Sequence, residues 1–465
     1  MPRFRVGSIK PLRRGRAIPP AGRPRLDLNA TPMPERQAPA PLLRRGPRPL
    51  ALHLALAMLR SSISIAASRN WSSVSPQWSE SAKASARRIV AALRAGPARL
   101  AEDFPAAVLQ EALAQDRELL AGIAAYRRHP FVRDVPEVPA RWQEGGSRLL
   151  DYGPEQQGAD RSVLVVPSLV NRAYVLDLLK GHSMLRFLAA SGVRTYLLDW
   201  GWPEALEREF TLTDYIAGRL ERALMAIQTP VVLIGYCMGG LLALAAALRR
   251  PDRVRALALL ATPWDFHAGN AAQAHAVASL LPIFEPALQF WHALPVDFLQ
   301  SLFALLDPFG VAGKYRAFAR LPQHSFRAQL FVALEDWLND GVPLAAPVAR
   351  ETLWGWYGQN TPVRGEWRVA GLAVRPQQLA MPALVVTPVR DRIVPPESAR
   401  PLAEALPQAR LLLAEAGHIG MVAGSTAKHA LWQPLLAWLE QVFTGVEKTT
   451  RARTKGGVSP GEKSP

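Results

Sequence analysis

The stretch PVVLIGYCMGGLLALAAALRR, residues 230–250, narrows the fold more than any other part of the chain. A short β-branched run reads as a buried strand, and an Ala/Leu run directly after it reads as a helix. Between them stands Gly235-Tyr236-Cys237-Met238-Gly239. A nucleophile held on a sharp strand-to-helix turn needs small neighbours, because the backbone there is strained and bulky side chains would collide. Gly-x-Cys-x-Gly has that form, with cysteine where serine is commoner. The start of the helix would also favour the reactive thiolate. The competing reading is a packed cysteine acting as a small hydrophobe. Cys237 is the only cysteine among 465 residues. That excludes an intramolecular disulfide framework and any Cys-x-x-Cys motif, and it fits a reducing cytoplasm.

The same strand–helix alternation surrounds the turn. RSVLVVPSL (161–169), VRTYLLDWG (193–201), VRALALLATP (254–263) and PALVVTPVRD (382–391) read as strands, with helical segments between them. Near-continuous apolar strands point to a parallel sheet covered by helices on both faces, an α/β fold. The rhythm breaks over residues 265–375, where helical and very apolar segments read as an inserted cap. The hydrolase-like core is therefore expected in two parts, 136–264 and 376–444. A helical segment over 76–135 precedes it.

Charge and proline concentrate at the ends. Residues 1–50 hold twelve Arg/Lys against two acids and eleven of the 41 prolines, and residues 445–465 hold five Arg/Lys against two acids. Subtracting +10 and +3 from the net +17 leaves about +4 for the body. Residues 1–75 and 445–465 are expected to be unstructured basic extensions. No nucleic-acid motif accompanies the charge. LALHLALAML (50–59) is too short to span a bilayer and lies too far from Met1 for a leader, so no transmembrane segment is expected.

A nucleophilic thiol needs a base and an acid from later strand ends. His418, in AEAGHIG after the last strand, fits the base by chain order. His429 reads as the start of a surface helix. Asp391, ending the preceding strand, fits the acid, with Asp265 in TPWDFH as its rival and Asp199 as a structural residue. The oxyanion hole would use the Met238 N–H and one from the loop after LVVPS, at Leu169 or Val170.

GYCMGG, PSLVNRAYVLDL, VRTYLLDWG, VRDRIVPPES and AGHIGMV, spread over about residues 125–440, together resemble the poly(3-hydroxyalkanoate) synthases, cysteine-dependent members of the α/β-hydrolase fold. The resemblance implies that Cys237 attacks the thioester of an (R)-3-hydroxyacyl-CoA and releases CoA. His418 would serve as base, and Asp391 would orient His418 or help activate the 3-hydroxyl that extends the polyester. CoA is then a leaving group, and neither cofactor nor metal is expected. The Asn171–Leu178 run would position the oxyanion loop. The apolar insert around 276–309 would shelter the acyl-enzyme from water, with Trp200, Trp202 and Trp264 lining an acyl channel. A cytoplasmic location follows, and a homodimer and the surface of a polyester granule stand as further partners. Arg392 stands where a histidine is frequent in the family, and the Asn-Pro-Pro that often follows the histidine is absent after His418. An acyl-CoA thioesterase or intracellular depolymerase, and a non-catalytic granule-associated subunit, are the alternatives at this level.

Overall fold

A computed structural model describes residues 44–70, 80–153 and 159–445 of the chain. Eight strands form one sheet: β1 (Ala140–Glu144), β2 (Ser147–Asp151), β3 (Ser162–Val166), β4 (Arg194–Asp199), β5 (Val231–Tyr236), β6 (Val254–Leu260), β7 (Ala383–Pro388) and β8 (Ala409–Ala414). Their order is β1-β2-β4-β3-β5-β6-β7-β8. The pairs β1–β2 and β2–β4 are antiparallel, and all the others are parallel. This is the α/β-hydrolase arrangement.

The central strands are apolar because neither face meets water. Every residue of β3, β4, β5 and β7 is buried. Successive residues feed opposite cores. Leu233 and Leu257 pack on one face, Ile234 and Ala258 on the other. Each fully buried Leu or Ile contributes about 1.5–3 kcal/mol relative to exposure, so these two layers dominate the stability of the sheet. The antiparallel strand β1 has exposed positions and β2 has partly exposed charged ones, Arg148 and Asp151, which is why no long apolar run announced them.

Between β6 and β7 the chain builds helices Ala271–Ala278, Leu281–Trp291, Val296–Leu306, Gly310–Ala319 and Phe326–Asn339. They share the cores of the sheet. Phe284 and Leu299 join the cluster of Leu233, while Leu330 and Trp337 join that of Ile234. Ahead of the sheet lie α1 (Leu50–Arg69), α2 (Glu80–Ala95) and α3 (Ala98–Arg128). Leu119 and Ile123 of α3 pack with Tyr315 and Phe318 of Gly310–Ala319. Tyr126 donates to Asp336 at 2.8 Å, and Arg44 pairs with the same carboxylate at 2.7 Å.

Three expectations need correction. Residues 50–69, assigned to an unstructured extension, form a helix because α3 offers them a partner. Ala57 packs beside Leu119, and Ser61 donates to Asp116 at 2.8 Å. The rest of that extension, and residues 446–465, lie outside the described residues. Nor is the apolar stretch too short for a bilayer. Within the 20-residue α1 an 18-residue stretch has a mean hydropathy of 1.6, so by length and composition alone it could cross a membrane, while most of the helix residues that pack do so on α3; Val296–Leu306 and Gly310–Ala319 meet that test only as a pair bent by 91°. Finally, the helical segment expected between the strands RSVLVVPSL and VRTYLLDWG is broken. A 3-10 turn at Ala173–Asp177 and a helix at Met184–Ala190 flank Gly181, whose φ is +79°.

Candidate active site

The turn after β5 is as tight as its glycines foretell. Cys237 has φ 56° and ψ −129°, a left-handed conformation costing about 1–3 kcal/mol for a residue with a side chain. Two bonds hold it there. Its N–H donates to Leu260 O at 2.8 Å, and its own carbonyl accepts from Gly240 N at 2.9 Å. A Cβ at Gly235 would meet Gly239 O at 2.6 Å, and one at Gly239 would meet Pro167 O at 2.5 Å. Backbone therefore packs on backbone at both positions, and only glycine allows it. The helix Met238–Arg249 starts directly after the thiol.

His418 and Asp391 arrive from the last two strand ends. Asp391 Oδ1 accepts from the N–H groups of Ile393 (2.8 Å) and Val394 (2.9 Å), which fixes the carboxylate. Its Oδ2 lies 2.7 Å from His418 Nδ1, and both side chains are buried. With Nδ1 occupied, Nε2 is the ring nitrogen free to act. His418 opens the short helix His418–Ala423, and Gly417, at its N-cap, ends the connection from β8. Burial pulls the His418 pKa down, but the neighbouring Cys237 and the bond to Asp391 prevail and raise it to about 10. An imidazole in that state holds a proton ready for a departing group.

Two cavities meet at Cys237. The larger, about 250 Å³, is mostly apolar and is walled by Met238, Val277, Leu299, Phe303, Trp356 and Tyr357. The smaller, about 90 Å³, is lined by Asn171, Arg172, Tyr236, Trp337 and His418, so the imidazole faces the smaller one. Val170 borders both, and its N–H donates to Ser168 Oγ at 3.3 Å, while Leu169 borders neither. Met238 borders the larger cavity as the first residue of its helix.

The tryptophans chosen from the sequence lie elsewhere. Trp200 fills the core and donates to Pro167 O at 3.0 Å, Trp264 is buried in the same core, and Trp202 is exposed. None of the three lines either cavity. Trp356 and Tyr357, from the helical turn Glu351–Gly358, and Trp337 take those positions. Burial and the adjacent Cys237 push the Tyr357 hydroxyl up to about 12. Only the aromatic density of LWGWYGQN hinted at Trp356 and Tyr357, and that pattern reads equally as cap core; nothing in the sequence singled out Trp337.

The rival residues are accounted for by other bonds. Asp265 spends Oδ1 on the N–H groups of His267 and Ala268 and on Asn360 Nδ2, at 2.8–3.1 Å. Asp199 pairs with Arg148 at 2.8 Å. His429 bonds Gln433 at 2.9 Å on an exposed face. The Asn171–Leu178 run ties the loop after β3 to the cap. Asn171 bridges to Gly341, Trp337 Nε1 donates to Arg172 O at 2.7 Å, and buried Asp177 pairs with Arg186 at 2.8 Å.

Known proteins resemble this chain in the same region. A family profile described as alpha/beta hydrolase fold matches residues 174–285. The poly(3-hydroxyalkanoate) polymerase subunit PhaC of Haloferax mediterranei is 30% identical over 325 residues, covering 68% of this chain and 66% of that protein. The proteins of the same name from Synechocystis sp. and Allochromatium vinosum are 30% and 29% identical, and this chain covers 77% and 80% of their lengths.

Proposed function

The chain belongs to the poly(3-hydroxyalkanoate) polymerase family, and from that premise we propose that it polymerises (R)-3-hydroxyacyl-CoA through an acyl-enzyme on Cys237. The observation that carries this reading is the strained cysteine turn with a carboxylate-held imidazole facing it. In the proposed reaction Cys237 Sγ adds to the thioester carbonyl and the bond from carbonyl carbon to the CoA sulfur breaks. The proton on His418 passes to the departing thiolate. His418, now neutral, takes the proton of an incoming 3-hydroxyl, whose oxygen attacks the acyl carbonyl. A C–O ester bond forms, the bond to Cys237 breaks, and the thiolate and imidazolium are restored. Asp391 holds the imidazole in orientation throughout.

A thiol suits this exchange, since thioester and acyl-enzyme are nearly equal in energy and the thiolate is already a strong nucleophile. The cycle consumes no cofactor, because CoA comes and goes with the substrate. Water must stay out, or the acyl-enzyme would hydrolyse, and the apolar walls of the larger cavity supply that exclusion. The reading extends to a cytoplasmic enzyme working at the surface of its own polyester granule.

The test is purified protein with (R)-3-hydroxybutyryl-CoA, following released CoA and the acyl product together. Polymer is expected, and Cys237→Ala should release no CoA above background. Free 3-hydroxybutyrate as the main product would make the protein a thioesterase, and undiminished release by Cys237→Ala would remove the acyl-enzyme altogether.

A further inference from the structure

Arg392 follows the triad acid directly and is the one cationic residue lining the larger cavity among the described residues. Its guanidinium pairs with Asp307 at 2.7 Å, and both side chains are largely exposed, at 74% and 43%. Asp307 caps the C-terminus of the cap helix Val296–Leu306, whose Leu299, Leu302 and Leu306 wall the same cavity. The pair thus joins the turn carrying Asp391 to the cap, at the solvent edge of the cavity.

Solvent makes this ion pair exchangeable. Exposed pairs contribute little, because water and salt screen them. A phosphate carries up to two charges and can bond a guanidinium through two oxygens. An apolar cavity with one exchangeable arginine at its rim fits a ligand with an apolar body and an anionic end.

We propose that Arg392 binds a phosphate of the CoA moiety, and that Asp307 occupies that guanidinium until the substrate displaces it. This rests on the polymerase reading above. The acyl group and pantetheine arm run along the apolar wall toward Cys237, while the phosphate replaces the carboxylate at the rim. Freed from Arg392, Asp307 no longer links the helix Val296–Leu306 to the turn of the acid.

Steady-state kinetics with two thioesters tests this. (R)-3-hydroxybutyryl-CoA carries phosphates, and the corresponding pantetheine thioester carries none. Arg392→Gln should raise KM for the CoA ester about tenfold, the loss expected for one charge-assisted bond, and leave KM for the pantetheine ester within about twofold. Asp307→Asn should lower KM for the CoA ester a few-fold, since it removes the competitor. Equal rises in KM for both esters in Arg392→Gln, or a rise in Asp307→Asn, would overturn the assignment. Thiol release from neither ester by the unmodified protein would instead strike the polymerase reading, so the two failures are distinguishable.

Discussion

The strand ends after β6 and β7 are neighbours in the sheet, and each carries an aspartate that turns the chain. Asp265 and Asp391 both accept backbone N–H groups two and three residues on with one carboxylate oxygen, the same turn chemistry at both sites. They differ in what else they bond. Asp265 directs the same Oδ1 to Asn360 in the cap, whereas Asp391 directs Oδ2 to His418. One aspartate therefore anchors the insert and the other holds an imidazole. A turn-forming acid becomes a functional one only when a second oxygen is left over and a titratable partner is brought to it.

The sharpest way to break that comparison is to neutralise each acid in turn. Asp391→Asn should lower CoA release by about 10²- to 10⁴-fold, because the imidazole loses the partner that fixes its tautomer and stabilises its charge. Asp265→Asn should lower it by less than about tenfold, because among the described residues its carboxylate bonds only to the cap, although the residue borders the larger cavity. Equal losses in the two initial rates would mean that the base takes its orientation from elsewhere.

Stability should run the other way. Asp265→Ala removes three hydrogen bonds and should cost about 2–3 kcal/mol in urea unfolding, given about 1 kcal/mol for each. Asp391→Asn keeps an oxygen for Ile393 and Val394 and should cost about 1 kcal/mol or less. The reverse ranking would make Asp391 the structural residue.

The smallest expected effect is on pH dependence. The His418 pKa lies above its ordinary value of 6.5, at about 10, with Cys237 among the causes. A raised folded-state value gives stability that is fully present below pH 6.5 and lost as pH climbs through about 10. Unfolding midpoints of the wild type and Cys237→Ala should therefore converge across that window. A constant gap would separate the histidine from the thiol.

Much of this was legible in the sequence, for reasons that differ by region. Gly235, Cys237 and Gly239 could be read because a tight turn admits few residues, and chain order then pointed to the ends of β7 and β8. The cap was legible only as an interruption. Its helices have no period of their own that says which side faces the cavity, so Tyr357 and Trp356 were missed and Trp200, Trp202 and Trp264 were chosen for their closeness in sequence to strand ends. The helix α1 was missed because its fold depends on α3, some fifty residues away, and local composition does not carry that contact. Arg392 was visible as a departure from the family, but its partner Asp307 lies 85 residues back and only the folded chain joins them.

The solitary thiol makes the protein a self-counting reagent. Cys237 borders both cavities and has no other sulfhydryl to compete with it. One equivalent of a thiol-directed label therefore reports Cys237 and no other group, without reference to turnover. Labels of graded bulk, offered with and without CoA, would gauge the width of the passage to Cys237 in solution, reading the pocket as a calliper reads a bore.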